Sequence, residues 1–119
     1  MTTALIVDDS RLSRMMILNF IKEERPDWHT IEASNGNEAL EKALDKDIDV
    51  MVLDYNMPGM DGVTLGTELK KHYPEAFITL LTANIQDSIQ RKADESGISF
   101  MKKPVTKESI SAIIETSGR

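Results

Sequence analysis

An aspartate stands directly behind a short, unbroken apolar run near the middle of this chain. Residues 50–53 read Val-Met-Val-Leu, Asp54 follows at once, and residues 55–62 are rich in turn-forming types. An apolar run of this length between turn signals is typical of a strand buried on both faces of a parallel sheet. Asp54 would then lie at the carboxyl edge of the sheet, where open α/β folds bind ligands and where a carboxylate can accept a phosphoryl group. The alternative is that Asp54 only begins a turn, as aspartates often do.

Two further carboxylates follow a second apolar run at the start of the chain. Residues 4–7 read Ala-Leu-Ile-Val and lead into Asp8 and Asp9. If the two strands lie side by side, the three carboxylates repel one another, since two charges ~4 Å apart cost about 4 kcal/mol at an effective dielectric of ~20. Either a raised pKa or a bound cation removes that repulsion. Carboxylate oxygens together with a loop carbonyl such as that of Asn56 suit Mg²⁺. The alternative is that the segment 8–10, Asp-Asp-Ser, forms the N-cap of the next helix.

A hydroxyl group and an ammonium group follow two later strand-like segments. Thr82 ends an apolar run, and Lys103 stands between another such run and Pro104. The hydroxyl could donate to a phosphoryl oxygen and the ammonium could reach an anion, whereas each residue alone is more often a plain strand residue or a solvated lysine. Lys102 competes with Lys103, since alternation along a strand turns only one of them toward the site. The joint placement of these groups with three carboxylates is the informative feature.

Five strand-like segments alternate with five amphipathic segments, and these elements have to position the polar side chains. We predict strands at residues 4–7, 28–33, 50–54, 77–82 and 98–102, and helices at 11–24, 37–46, 63–73, 85–96 and after the N-cap Thr106. The helical residues expected to face the core include Leu12, Met15, Met16, Phe20, Ile21, Ala39, Leu40, Ala43 and Leu44. This alternation predicts an α/β fold with a doubly wound parallel sheet and right-handed crossovers. Among the strand orders known for such sheets, we expect the compact order 2-1-3-4-5. Strands 1 and 3 are then neighbours, which brings Asp8, Asp9 and Asp54 to one edge.

The composition is that of an ordinary globular protein and excludes several functions. The 119 residues form one domain, 1–119, with 40% apolar and 29% charged residues. A net charge of −6 offers no basic face to nucleic acid, and no apolar run is long enough to insert into a membrane. The chain has no cysteine and its N-terminus lacks the features of a signal peptide, so we expect a cytoplasmic protein.

The polar residues and their order resemble the receiver domain of two-component response regulators, a CheY-like, flavodoxin-like family, over essentially the whole chain. The residues that carry the resemblance are Asp8, Asp9, Asp54, Thr82, Lys103 and Pro104, together with the loop 57–62, Met-Pro-Gly-Met-Asp-Gly. The resemblance implies that Asp54 accepts a phosphoryl group from the phosphohistidine of a histidine kinase. It also implies that Asp9 binds Mg²⁺ directly and Asp8 largely through water, and that Asp54 and the Asn56 backbone carbonyl complete the protein ligands.

The same resemblance implies roles for the later residues. Thr82 and Lys103 would contact the phosphoryl group, and the peptide bond before Pro104 would be cis. Phe100, three residues before Lys103, would be a switch residue whose ring turns inward when Thr82 moves toward the phosphoryl group. Burial in the core also explains a strand phenylalanine. Many chemotaxis-type members carry Tyr at this position, so Phe100 lacks a hydroxyl group that could bond to a partner.

We therefore predict a phosphorylatable signalling switch, not an enzyme. It would take up a phosphoryl group from a histidine kinase or a histidine phosphotransfer protein and lose it by slow self-dephosphorylation, which Asn56 and Asn84 would tune. Because the chain ends just after its fifth helix, we expect a stand-alone chemotaxis-type regulator. Its helix 4–strand 5–helix 5 face would contact a protein such as a flagellar motor switch component. The alternatives are a phosphorelay intermediate and a receiver fragment of a longer response regulator.

Two functions of other classes fit the sequence less well. Magnesium-dependent phosphohydrolases with an aspartyl-phosphate intermediate usually place the nucleophile at the end of the first strand, with a second Asp two residues on. Here Asp8 and Asp9 are adjacent, and the short chain leaves no cap to enclose a substrate. A flavin-binding module of the flavodoxin type would need a Ser/Thr/Gly-rich loop after the first strand, which this sequence lacks.

Overall fold

Strands and helices alternate throughout the described part of the chain, residues 1–83 and 86–119 of the computed structural model. The elements are β1 (Thr3–Val7), α1 (Arg11–Glu24), β2 (His29–Ala33), α2 (Gly36–Ala43), β3 (Val50–Leu53), α3 (Gly62–His72), β4 (Phe77–Thr82), α4 (Asp87–Glu95), β5 (Ser99–Lys102) and α5 (Lys107–Ser117). The strands form one parallel sheet in the order β2-β1-β3-β4-β5. The predicted doubly wound (βα)5 fold is therefore confirmed. The predicted start of the fourth helix, residue 85, lies outside the described residues.

The sheet is buried on both faces because successive side chains of a strand point to opposite sides. In β1, Leu5 and Val7 pack with residues of α2, α3 and α4, whereas Ala4 and Ile6 pack with residues of α1 and α5. The same division holds for β3, in which all four residues are apolar and buried. Helices thus cover both faces, as an apolar parallel sheet requires. Within residues 1–83 and 86–119, no helix combines the length and the apolarity needed to cross a membrane.

Strand register decides which side chains share the carboxyl edge of the sheet. The last residue of β1 pairs with the last residue of β3, and the Asp54 amide donates to the Val7 carbonyl at 2.8 Å. Asp8 and Asp54 therefore leave the sheet side by side. Farther along the same edge, the amide of Lys103 donates to the Thr82 carbonyl at 2.9 Å, which joins the ends of β4 and β5.

Short polar side chains cap α1 and α5, two of the helices that begin at the carboxyl edge. Ser10 is the N-cap of α1, and its Oγ accepts the amide of Ser13 at 3.2 Å. Capping of α1 therefore does not require the carboxylate of either neighbouring aspartate. The predicted N-cap of α5 is confirmed, because Thr106 Oγ1 accepts the amide of Ser109 at 3.0 Å and the Ser109 hydroxyl accepts the amide of Thr106 at 2.9 Å.

Three apolar residues that were expected to face the core are exposed instead: Leu12 is 69%, Met15 is 48% and Leu44 is 68% exposed. The buried face of α1 is centred on Ile17 and Ile21, and the 3.6-residue period places Leu12 and Met15 away from that face. Helix α2 ends at residue 43 rather than 46. Leu44 is its C-cap with a ψ of 133°, so its side chain no longer follows the helical period.

Gly62, the first residue of α3, lies against the backbone that carries Asp54. A Cβ built there would lie 2.3 Å from the Asp54 carbonyl oxygen and 2.7 Å from Leu80 Cδ2. We expect Gly62→Ala to lower the free energy of unfolding, measured by urea denaturation, by about 1–3 kcal/mol, the usual cost of overpacking. Thr64→Ala, an exposed position in the same helical turn, is the control and should change it by less than about 0.5 kcal/mol. Equal effects of the two substitutions would contradict this account of Gly62.

Candidate functional site

Three carboxylates meet at the carboxyl edge of the sheet, at the ends of β1 and β3. Asp8 and Asp9 follow β1, Asp54 follows β3, and one carboxylate oxygen of each lies within 4.8 Å of those of the other two. Asp8 and Asp54 are 1% and 7% exposed, whereas Asp9 is open to solvent. Hard carboxylate oxygens grouped this closely, with an accessible side, could hold a divalent metal ion.

Asp8 is held in place through its side chain and its backbone. Its Oδ1 accepts the amide of Ser10 at 2.9 Å, and its Oδ2 accepts Lys103 Nζ at 2.9 Å. Its carbonyl accepts Arg14 Nη1 at 2.7 Å, and Arg14 also donates through Nε to Glu32 on β2 at 3.1 Å. These bonds tie the first turn of α1 to the edge strand β2 and fix the carboxylate before any ligand arrives.

Lys103 extends to the carboxylates from the loop after β5. Its Nζ lies 2.9 Å from Asp8 Oδ2, 3.2 Å from Ser13 Oγ and 3.8 Å from Asp54 Oδ1. The peptide bond between Lys103 and Pro104 is cis, as the resemblance implied. The ammonium group thus lies within ion-pair distance of two carboxylates and is closer to Asp8 than to Asp54.

The other residues predicted for the site lie around this cluster at different depths. Thr82 is the last residue of β4 and is fully buried. Asn56 is exposed in the loop after β3, and Lys102, the competing lysine, is exposed at the end of β5. Asn84 lies outside the described residues. The structure therefore brings the three carboxylates and the Lys103 ammonium together and places the Thr82 hydroxyl at the end of the neighbouring strand.

Phe100 lies on β5, beside the strand that ends in Thr82. It pairs with Leu80 in the ladder between β4 and β5 and is half-buried. Its ring packs against the apolar cluster formed with α2, α3 and α4. The ring is therefore neither fully buried nor fully exposed.

The pKa of Asp54 reports the electrostatic balance of the site. Burial is the main cause that raises this pKa from its ordinary 3.8 to about 6, and the negative charge of Asp8 acts in the same direction. The Lys103 ammonium lowers the pKa of Asp54, the charge of Asp9 raises it, and a hydrogen bond from the Tyr55 amide lowers it. The lysine therefore offsets only part of the cost of an ionised Asp54. A bound cation would lower this pKa again, because it stabilises the charged carboxylate.

Ser13 and Arg14 contact the site although the sequence analysis did not single them out. Ser13 precedes Ile17 by four residues and therefore heads the buried stripe of α1. The sequence did contain a signal for Ser13. Its hydroxyl stands at the start of an apolar stripe, just after an acidic pair at a strand end. The contact of Arg14 had no such signal, because it depends on β2, a strand that is distant in sequence and adjacent only in the fold.

The fold and the site together define a class of protein. The chain has a doubly wound parallel sheet, two carboxylates after β1, a third after β3 and a lysine after β5, which is the arrangement of a response regulator receiver domain. The model of the response regulator receiver domain family matches residues 4–115. The chain belongs to this family.

Individual relatives agree with that assignment. A cyclic di-GMP phosphodiesterase of Thermotoga maritima is 34% identical over 107 residues, which are 89% of this chain and 28% of that protein. The chain spans 56% of other curated response regulators that it matches. The chemotaxis protein CheY4 of Vibrio cholerae is 26% identical, with a TM-score of 0.89 and 98% of each chain covered. A response regulator of Burkholderia pseudomallei, solved with a phosphorylated aspartic acid, a calcium ion and citrate, is 25% identical, with a TM-score of 0.85 over 98% of this chain and 68% of that one.

The raised pKa of Asp54 leads to a prediction about stability. As the pH rises from 3.8 to about 6, the unfolded state loses its proton from this carboxyl first, so the folded state is progressively destabilised. We expect Asp54→Asn to raise the free energy of unfolding at about pH 8, without divalent cations, by at most about 3 kcal/mol, the equivalent of the pKa shift. Near about pH 4 the gain should disappear, because the folded wild-type carboxyl is then protonated.

Urea unfolding of the wild type and the variant at both pH values measures this difference. Asp47→Asn, an exposed position outside the cluster, is the matched control and should change stability little at either pH. An Asp54→Asn variant that is no more stable than the wild type at the higher pH would contradict the raised pKa.

Proposed function

We propose that this receiver domain is a phosphorylatable switch of a two-component system. Asp54 would accept a phosphoryl group from a sensor histidine kinase or a histidine phosphotransfer protein. The observation that carries the proposal is the buried Asp54 carboxylate, with Lys103 Nζ 3.8 Å from its Oδ1 and the carboxylates of Asp8 and Asp9 close by. The Burkholderia response regulator was solved with a phosphorylated aspartic acid and a calcium ion, which supports both an aspartate acceptor and a divalent cation.

The transfer forms a bond between a carboxylate oxygen of Asp54 and phosphorus. The bond from phosphorus to the donor imidazole nitrogen breaks, and the imidazole keeps the electron pair. Asp54 has to be ionised to attack, and a bound cation would favour this form by lowering its pKa from about 6. The Lys103 ammonium offsets negative charge on the phosphoryl oxygens. We assign the hydroxyl of Thr82, at the end of β4, to one of those oxygens.

We propose Mg²⁺ as the cofactor of this site. Asp9 would bind it directly and Asp8 largely through water, with Asp54 and the Asn56 backbone carbonyl as the remaining protein ligands. The donor set fits, because hard oxygen ligands beside a solvent-accessible carboxylate suit an ion that keeps part of its hydration shell. When bound, the ion supplies positive charge next to the phosphoryl oxygens.

We propose that the output is a protein contact and not turnover of a substrate. Phosphorylation would draw Thr82 toward the site and let Phe100 turn inward, which alters the surface of α4, β5 and α5 that a partner contacts. We favour a chemotaxis-type regulator with a flagellar motor switch component as partner, because the chemotaxis protein CheY4 shares the fold with a TM-score of 0.89 at 26% identity. A phosphorelay intermediate or the receiver of a longer regulator is the alternative. The phosphodiesterase activity of the Thermotoga relative is not carried over, since this chain matches 28% of that protein.

Intact-protein mass after incubation with acetyl phosphate tests the proposal. With Mg²⁺, we expect one phosphoryl adduct on the wild type, because the site then holds the charge that the transfer needs. With EDTA, or on Asp54→Asn, we expect no adduct, because either the cation or the acceptor oxygen is missing.

Asp61→Asn is the matched control for the loss of the acceptor. Asp61 lies in the same loop and caps α3 through its carboxylate, and asparagine caps a helix equally well. This variant should be labelled as the wild type is. The proposal is contradicted if a folded, Mg²⁺-binding wild type takes up no phosphoryl group, or if Asp54→Asn is labelled to the same extent.

The proposed switch predicts that the ring environment of Phe100 differs between the two phosphorylation states. We expect its ring proton resonances in NMR spectra to move on addition of acetyl phosphate and Mg²⁺. Phe20 on α1 is the reference ring, because it packs on the other face of the sheet and should move less. Equally small changes at both rings would contradict the switch role and indicate that Phe100 only packs in the core.

A further inference from the structure

The Lys103 ammonium has a hydroxyl partner that belongs to α1. An ammonium group carries three N–H donors. Asp8 Oδ2 accepts from Lys103 Nζ at 2.9 Å, and Ser13 Oγ accepts from it at 3.2 Å. Asp54 Oδ1 lies farther away, at 3.8 Å. Two short bonds to different elements therefore define where the ammonium lies relative to Asp54.

Ser13 occupies a position that the packing of α1 would otherwise give to an apolar residue. It precedes Ile17 by four residues on the buried face of the helix and is itself half-buried. Met16 and Val105 line the same shallow cavity as Ser13 and Lys103. The contact with Lys103 Nζ accounts for a hydroxyl in this largely apolar setting.

We infer that Ser13 is a positioning residue for Lys103, which holds the ammonium where phosphoryl transfer to Asp54 needs it. This inference rests on the proposed function. A lysine side chain is flexible and loses much rotamer freedom when it is held in one place. Without Ser13 Oγ, the ammonium can turn about its bond to Asp8 and move away from Asp54. The charge that offsets the transferring phosphoryl group is then less preorganised.

Substitution of Ser13 by alanine isolates this contact. The N-cap of α1 uses the backbone amide of Ser13 and the Oγ of Ser10, so Ser13→Ala retains it, and alanine is a good helix former. Ser13→Thr keeps a hydroxyl and serves as the rescue. The matched control is Ser111→Ala, which removes a half-buried hydroxyl that donates to Glu24 Oε1 at 2.6 Å, at the other end of α1.

The first measurement is the rate of phosphorylation by acetyl phosphate at saturating Mg²⁺. We expect Ser13→Ala to be slower by about tenfold, equivalent to about 1.4 kcal/mol, and Ser13→Thr to stay within about threefold of the wild type. Ser111→Ala should react at the wild-type rate. Because the hydroxyl acts through the ammonium, Ser13→Ala should have no further effect in a Lys103→Ala background. Equal slowing in both backgrounds, or a Ser13→Ala rate within about twofold of the wild type, overturns the inference.

The second measurement does not depend on phosphorylation. The ¹H–¹⁵N resonance of the Lys103 ammonium in the unphosphorylated protein should shift in Ser13→Ala, return toward the wild-type position in Ser13→Thr and stay unchanged in Ser111→Ala. A wild type that takes up no phosphoryl group overturns the proposed function. A labelled wild type whose Ser13→Ala variant keeps both the rate and the ammonium resonance overturns only the role of Ser13.

Discussion

Repulsion between carboxylates that the sheet forces together is the constraint on which the site depends. Parallel pairing of β1 with β3 makes Asp8 and Asp54 adjacent, and the strands are buried so deeply that both carboxylates are largely removed from water. Two like charges less than 4.8 Å apart cost several kcal/mol unless a cation is near. Burial is the main cause that raises the pKa of Asp54, the charge of Asp8 adds to it, and Lys103 offsets the two only in part. Additional positive charge would therefore stabilise the ionised carboxylates of the site, and a bound cation could supply it.

The Lys103 ammonium lies at different distances from the two buried carboxylates. Asp8 accepts a short bond from it, whereas Asp54 lies 0.9 Å farther away, at 3.8 Å against 2.9 Å. Asp8 is thus the carboxylate closer to the ammonium, and the charged form of Asp54 receives less stabilisation from it. In the function that we propose, a cation bound beside Asp8 would compete with this bond and free the ammonium to contact a phosphoryl group on Asp54. The hydroxyl of Ser13 would then keep the ammonium near Asp54, because it holds the same ammonium from α1.

The elements and their order were predictable because each depends on signals within short stretches of chain. The apolar run before Asp54 predicted β3, and the bounds of α1, residues 11–24, were predicted to the residue. Alternation of strands and helices restricts the topology to a few doubly wound sheets, and the confirmed order 2-1-3-4-5 is a common one among them. The candidate site followed in turn, since the carboxyl ends of neighbouring parallel strands meet at one edge. The residue types then indicated the chemistry, because Asp carboxylates can bind a metal ion and a Lys ammonium can contact an anion.

What the sequence by itself determined was therefore which residues reach the carboxyl edge, and only the tertiary structure decided how they meet there. The preference of Lys103 for Asp8, and its bond to Ser13, join residues about 90 positions apart, and no local pattern encodes such a distance. The exposure of Leu12 and Leu44 was likewise decided by packing. The sequence shows which residues of a helix are apolar. The neighbouring elements decide which face of that helix is buried and where its last turn ends.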